Sequence, residues 1–418
     1  MYNHIVCTLK WVKMFKGWYS NMRSAIKISS LLLAVVMLVS AVLVSGCSLK
    51  PEWSYKTSEK ELAIGVYILA LRSAYSTAET KAKELEDYDS TSDSWLDMEI
   101  TDDDGNTEVA RTWIKNKAEE QCLEYLVVEN GLSDSGTTVD EAQLDEARKQ
   151  AKTSWEVGQQ TMYGQMPAAK KSLEKYGVSL ASYTYVVADA HQNEEAYFDY
   201  LYSPGGPKAV PDAELVKYVQ DNYADYSYIS VPLYTSQQQE GSEQPTSVAM
   251  SAEEKKKVND KINGYAKAIN DEGKSYDDVV SEYMKESGLT ESPSKDNIEL
   301  KEEFSAGDQI KTAYDKIQPG KVSVVTVGED PNASVYLVYK KDIKADAAKY
   351  VSENRETVLH KAKEKDFEDY LKTLTEDLDY EKSSAVDSYD PKMFFEPVQP
   401  TTAAKSNEDD AADSSAAG

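Results

Sequence analysis

Histidine is almost missing from this chain: there are three in 418 residues, and beyond residue 46 only His191 and His360. These two fall on separate helical stretches, which leaves little material for a Ser-His-Asp or Cys-His pair. A histidine-rich zinc site is excluded by count, and no metal or cofactor is expected. Cysteine is as scarce. Past residue 46 only Cys47 and Cys122 remain, so no intrachain disulfide framework exists. Cys122, in "KAEEQCLEYLVV", lies on the apolar side of a helix and reads as a buried small hydrophobe. Basic residues are outnumbered, 46 Lys and Arg against 73 Asp and Glu. With no basic face to neutralise phosphates, direct nucleic-acid binding is not expected. Long apolar runs are also lacking beyond residue 46. Leu62 to Leu71 is apolar on nearly every side, yet too short to span a bilayer, and reads as a core helix.

The amino terminus holds what the rest lacks. Residues 1–46 carry five cations (Lys10, Lys13, Lys16, Arg23, Lys27) and no acid, followed by "LLLAVVMLVSAVLVSG". A basic region, an apolar run and small residues at its exit are the layout of an export signal, and a start at Met22 would keep all of it. The run ends in "LVSGC", which resembles a bacterial lipobox. Small Ser45 and Gly46 let the backbone enter a peptidase groove, and the Cys47 thiol is the natural acylation point. Two or three acyl chains would anchor the chain stably. Removing residues 1–46 takes the formal charge from −27 to −32. A lipid anchor would then have to hold the protein against a repelling anionic surface.

Along the mature chain, residues 47–56 read as a tether. Ser58 with Glu61 offers a capping box opening a helix. "DDDGN" at 102–106 reads as an Asp-Gly turn, because an EF-hand register would put Ile100 at its first ligand position. Helices are expected over about 107–129, 138–164, 167–176 and 179–201. Their Met162, Tyr163, Met166, Tyr176, Tyr183, Tyr185 and Tyr197 form a stripe that fits a core, while the first six are also candidates for an adaptable apolar binding surface. "SPGGP" at 203–207 is a break. "YSYISVPLY" at 226–234 and "ASVYLVYKKDI" at 333–343 are strand-like. The order strand, helix, helix, helix, strand, strand implies a small sheet with helices packed on it. Residues 346–380 form one long helix, and the tail "TTAAKSNEDDAADSSAAG" has the composition of disorder.

In this order the segments resemble the extracytoplasmic foldases of the SurA/PrsA type, which carry a parvulin-like prolyl isomerase domain. "VPDAELVKYVQDNY" looks like the lead-in helix. "DEGKSYDDVVSEYMKESG" resembles the helix pair, with Tyr276 at its usual aromatic position. "AYDKIQPGKVSVVTV" is similar to the segment entering the final hairpin, and "LDYEKSSAVDSYDPKMFF" to the tail of Gram-positive members. The resemblance implies an α+β chain of six parts: a signal at 1–46, a tether at 47–56, a helical SurA-N-like chaperone domain at 57–215, an inserted parvulin-like α/β domain at 216–343, a returning helix and tail at 344–395, and an acidic tail at 396–418.

The departures bear on mechanism. Active parvulins use a histidine in the first strand and another in the last, with a Met and a Phe lining a proline pocket. The matching positions here are Tyr228, Tyr336, Ala306 and Ile310, with Phe304 close by, and the glycine-rich turn is replaced by "ESPSKDNIEL". Prolyl isomerisation must lower a barrier of roughly 18–20 kcal/mol, and the loss of all four residues points to a retired site in which Tyr336 fills space. The resemblance therefore implies a lipid-anchored chaperone on the outer face of the cytoplasmic membrane that binds unfolded exported polypeptides. The alternatives are an active prolyl isomerase using tyrosines, and a solute-binding lipoprotein, which would need many alternating strands and helices.

Overall fold

Alternating Ile229 and Val231, Val335 and Leu337, Val322 and Val324 give three strands one aliphatic face, which only packing against helices can bury. The computed structural model describes residues 52–103, 105–161, 164–237 and 246–397. Residues 1–46, Cys47, Met162, Tyr163 and the tail from 398 onward lie outside the described residues. No described helix is long and apolar enough to cross a membrane.

The fold is α+β, with helices interleaved among small antiparallel sheets. Strands β1 (Trp53–Lys56) and β2 (Glu61–Ala63) precede helix α1 (Ile64–Ala82). Strands β3 (Glu99–Thr101) and β4 (Thr107–Val109) form a hairpin before α2 (Ala110–Ser135). Helix α3 (Glu141–Glu156) leads to the hairpin β5 (Gln159–Thr161) and β6 (Gly164–Met166). Short helices α4 (Ala169–Leu173) and α5 (Leu180–Thr184) follow, and a π-helical turn, Tyr185–Asp189, joins α5 to α6 (Ala190–Tyr202). Then come α7 (Asp212–Asn222), β7 (Tyr223–Pro232), β8 (Tyr234–Gln237), β9 (Thr246–Ala249), α8 (Ala252–Asn270) and α9 (Tyr276–Ser287). The chain continues through β10 (Ser294–Leu300), α10 (Asp308–Lys316), β11 (Val322–Val327), β12 (Ser334–Lys340), α11 (Ile343–Glu376) and β13 (Glu381–Lys382).

The described residues fall into two compact units. The first comprises those up to Cys122, Ala169–Tyr183 and those from Tyr380 on. In it β1 is the centre of a three-stranded antiparallel sheet, β13-β1-β2. Helix α1 buries Val66, Tyr67, Ile68 and Leu71, so the apolar run is a core helix. The Lys382 and Tyr380 side chains both reach Glu119, each at 2.9 Å, and fix the returning tail. Cys122 is fully buried, and burial pushes its thiol well above its ordinary range.

Three expectations need correcting in and beside this unit. Residues 53–56 are a strand rather than a tether, because Tyr55 is buried on the sheet. No capping box forms at Ser58; Thr57 closes the β1–β2 turn by accepting from the amides of Glu59 and Lys60, and the helix begins at Ile64. The helix expected to reach 164 stops at Glu156. Gly158 takes φ +92, and a Cβ there would lie 2.0 Å from the Met166 carbonyl, so only glycine lets β5 fold back on β6. The Asp-Gly turn stands: Asn106 donates its amide to Asp102 at 2.8 Å, and Gly105 is left-handed.

The second unit comprises Leu123–Ala168 and Thr184–Asp379. One of its cores joins the second half of α2 to α6, α7 and α11 through Val127, Leu132, Phe198, Leu201, Leu215, Val358, Phe367 and Leu371. The approach of α2 to α6 is close: a Cβ on Gly131 would meet the Tyr197 ring at 2.4 Å. Helix α11 is kinked at Asn354, where the backbone leaves the helical region and the side-chain amide donates to the Tyr350 carbonyl at 3.0 Å.

The same unit contains a four-stranded antiparallel sheet in the order β10-β7-β12-β11. Strand β10 was unforeseen. "SKDNIEL", part of the stretch that replaces the glycine-rich turn, pairs with β7 from Ser294↔Ile229 to Leu300↔Tyr223. It is an edge strand, half exposed, where polar residues are tolerated and discourage further pairing. The alternating parallel strands of a solute-binding fold are absent among the described residues; every strand pair is antiparallel.

Candidate functional site

Strand pairing alone decides which side chains share a face. Val338 sits opposite Tyr228, and Tyr336 opposite Ser230 and Val325. Since alternate residues share a face, Tyr226, Tyr228, Tyr336, Val338, Val325 and Val327 all lie on the side away from Ile229 and Leu337. On the Ile229 side, α8 and α9 contribute Ile262, Ile269, Val279 and Val280 and close an aliphatic core. Tyr276 is buried there, stacked on Tyr339 with ring centroids 4.7 Å apart, its hydroxyl 3.0 Å from that of Ser294.

The other side is covered by less. Helix α10 supplies Ile310 and Tyr314, and the chain before it supplies Phe304 and Ala306. The four positions singled out in the sequence come together: Tyr228, Tyr336, Ala306 and Ile310 pack in one cluster with Val338 and Ile317. Ile310 is fully buried, whereas Tyr228, Tyr336 and Ala306 are half-buried. The Tyr228 and Tyr336 rings stand 5.6 Å apart at 51°, on adjacent strands.

Three further aromatics extend this into a shelf that sequence reasoning did not assemble. Phe304 stacks on Tyr226 at 4.5 Å and 12°, and Tyr314 leans on both at 5.7 Å. The Tyr226 hydroxyl donates to Glu299 Oε1 at 2.6 Å, and the Ser305 amide donates to the same oxygen at 2.8 Å. One carboxylate thus holds both the ring and the segment carrying Phe304 and Ala306. Lys340 closes this end, its ammonium 4.2 Å from the Tyr314 ring centre and 3.2 Å from the Tyr314 carbonyl. The signal was present: "YSY" spaces Tyr226 and Tyr228 by two, which on any strand puts both on one face.

Electrostatically the shelf is quiet. Burial first, and then the neighbouring Tyr336, push the Tyr228 hydroxyl above its ordinary range. Burial and then Glu299 do the same to Tyr226. Both therefore stay neutral phenols at physiological pH. The hydroxyls of Tyr228 and Tyr336 make no hydrogen bond to another described residue. The shelf offers apolar area and phenol hydroxyls, with its carboxylate, Glu299, engaged by the Tyr226 hydroxyl and the Ser305 amide. Among the described residues no group of three or more His, Cys, Asp or Glu could hold a metal ion.

The other candidates disperse. Met166 is exposed on β6. Tyr185 donates to Glu129 Oε1 at 3.1 Å and meets Tyr125 edge-on at 5.9 Å. Tyr176 packs edge-on against Phe394 at 4.9 Å, and Tyr183 is half-buried. The stripe is divided between the two units, Met166 and Tyr185 in one, Tyr176 and Tyr183 in the other, because the chain leaves the second unit at 168 and returns at 184.

No protein-family model matches this chain, and no curated protein matches it. Solved structures do. The foldase protein PrsA from Streptococcus pneumoniae is similar over 69% of this chain and 97% of its own, at 15% identity and a TM-score of 0.32. PrsA from Bacillus subtilis is similar over 68% and 93%, at 16% identity and 0.26. The foldase protein PrsA from Lactococcus lactis is similar over 80% and 96%, at 13% identity and 0.31. Likeness at this level decides nothing about ligand or chemistry.

Proposed function

We propose that this chain is an extracytoplasmic, lipid-anchored chaperone of the foldase class, which holds unfolded exported polypeptides by non-covalent contact. In this reading Cys47 carries the anchor on the outer face of the cytoplasmic membrane. Residues 57–215 and 344–395 form the helical chaperone part, and 216–343 is a parvulin-like module without isomerase activity. The observation that carries the reading is the half-open shelf of Tyr228, Tyr336, Phe304 and Ala306 on a sheet whose opposite face packs an aliphatic core with two helices. Half-buried rings whose hydroxyls make no hydrogen bond to a described residue suit a varied apolar ligand: the area gives affinity, and the hydroxyls accommodate backbone amides without demanding a sequence. Rings at the two histidine positions leave no imidazole to organise a hydrogen-bond network over a prolyl bond.

A full-length mature chain is expected to suppress aggregation of a chemically unfolded client in light scattering, and Tyr228→Ser with Tyr336→Ser to weaken that suppression. No suppression by the wild type at several-fold excess would refute the reading. A second reading, catalysis by the paired hydroxyls, is favoured by the proximity of Tyr228 to Tyr336. It predicts proline-peptide isomerisation that Tyr336→Phe abolishes. The first reading predicts no rate above background in either form.

A further inference from the structure

The four-stranded sheet ends in two edges that differ in kind. Strand β10, on one side, carries Lys295, Asp296 and Glu299, charges of the sort that blunt an edge against further pairing. Strand β11, on the other, reads "VSVVTV", mostly β-branched and without charge or proline. That composition pairs readily with another strand. Thr326 is exposed, and Ser323, Val324, Val325 and Val327 are half-buried.

Alternation fixes where the backbone groups of β11 point. The Lys340 amide donates to the Lys321 carbonyl at 3.0 Å, and Val322 lies opposite Tyr339. The residues that bond across to β12 are therefore Ser323, Val325 and Val327. Val322, Val324 and Thr326 turn their N–H and C=O groups outward. Val322 bears this out: its amide donates to Asn270 Oδ1 and its carbonyl accepts from Asn270 Nδ2, both at 3.0 Å. That is the pair of bonds a neighbouring strand would make, supplied here by a side-chain amide at the end of α8. Beyond it, the outward groups of Val324 and Thr326 meet no partner among the described residues.

N–H and C=O pairs two residues apart along a strand are complementary to an extended backbone. A second copy of this chain fits them poorly. Its formal charge of −27 would meet the same charge. Asn270 already fills the edge at Val322, so the overlap of two folded bodies would be confined to Val324 and Thr326, far short of the roughly 1,200 Å² that a stable interface buries. A flexible chain has no folded body to keep clear. Laid along β11, its alternate side chains would stand beside Val325 and Val327, on the face where Val325 lies opposite Tyr336.

We propose that the outer edge of β11 takes up an extended, uncharged segment of an unfolded polypeptide as a fifth strand, pairing its backbone with Val324 and Thr326. The inference rests on the chaperone reading above and deepens it. Main-chain pairing at the edge holds a segment whose alternate side chains run towards the tyrosine shelf. A segment with proline at the paired positions is refused, because a prolyl nitrogen has no hydrogen to donate.

The test is fluorescence anisotropy of the full mature chain with two labelled peptides that alternate valine and serine, one of them N-methylated at its central amides. Methylation removes donors and adds apolar surface, so side-chain contact alone would hold both peptides alike or favour the methylated one. The unmodified peptide is expected to bind about tenfold more tightly, the loss that one or two hydrogen bonds would cause. Thr326→Pro should abolish that preference: it deletes an outward N–H and leaves the bonds to β12 in place, so the denaturation midpoint should hold. Thr326→Lys puts a charge on the exposed edge without altering the backbone, and should reduce the preference even if the proline variant fails to fold. Equal binding of the two peptides by the wild type, or a preference that survives in the folded variants, would overturn the proposal. So would a wild type that is dimeric and becomes monomeric on either substitution, since the edge would then belong to a second copy. A wild type that suppresses client aggregation while showing no preference would leave the chaperone reading intact. A wild type that binds neither peptide and suppresses nothing would remove both.

Discussion

The two faces of the four-stranded sheet are built from the same strands and differ in almost every physical respect. One carries Ile229, Val335 and Leu337, all fully buried under α8 and α9. The other carries Tyr226, fully buried, and Tyr228 and Tyr336, which are half-buried under one short helix. A closed aliphatic face is what stability requires, since every methyl removed from water contributes. An aromatic face left half in water adds little to folding and is the part free to meet a ligand. The same strands thus support the module on one side and present it on the other.

The largest effect that would sharpen this contrast is on stability. Leu337→Ala should cost about 3–4 kcal/mol, transfer plus cavity, in chemical denaturation. Tyr336→Ala, one position away, should cost less, about 2 kcal/mol, because its ring is only partly buried. Comparable losses from the two would erase the distinction between the faces.

Next in size is a charge at the sealed side. Asp225 is almost fully buried, with Oδ1 unpartnered and Lys341 4.0 Å away. Burial raises its carboxyl to about 6; Lys341 opposes the shift, and Asp346 and Asp296 add to it. A folded pKa above the unfolded one means the native state binds the extra proton. Stability should therefore rise as pH falls from 7.5 towards 5 and be lost as pH rises through about 6. Asp225→Asn should stabilise the protein at pH 7.5 by on the order of 1–3 kcal/mol and flatten that slope. An unchanged slope would mean that Asp225 is not its source. The smallest stability effect belongs to the aromatic side: Tyr226→Phe, losing the hydroxyl's bond to Glu299, should cost about 1 kcal/mol.

Much of this module was legible in the sequence, and the omissions have causes. Strands β7 and β12 announce themselves through β-branched and aromatic alternation, and the long last helix through its apolar period. Ala306 and Ile310, matched through the resemblance, pack in the cluster that holds Tyr228 and Tyr336. Strand β10 was hidden because an edge strand can be polar; Lys295 and Asp296 on it are exposed. Strands β1 and β13 pair across more than three hundred residues, Tyr55 with Lys382, and no local pattern encodes such a partner.

The most direct measurement is photocrosslinking to an unfolded client from a benzophenone side chain placed on each face of the sheet in turn. The account predicts strong crosslinks from positions 228 and 336 and background from position 322, which is buried on the aliphatic face. Equal yields from both faces, or none from the tyrosine positions, would contradict it.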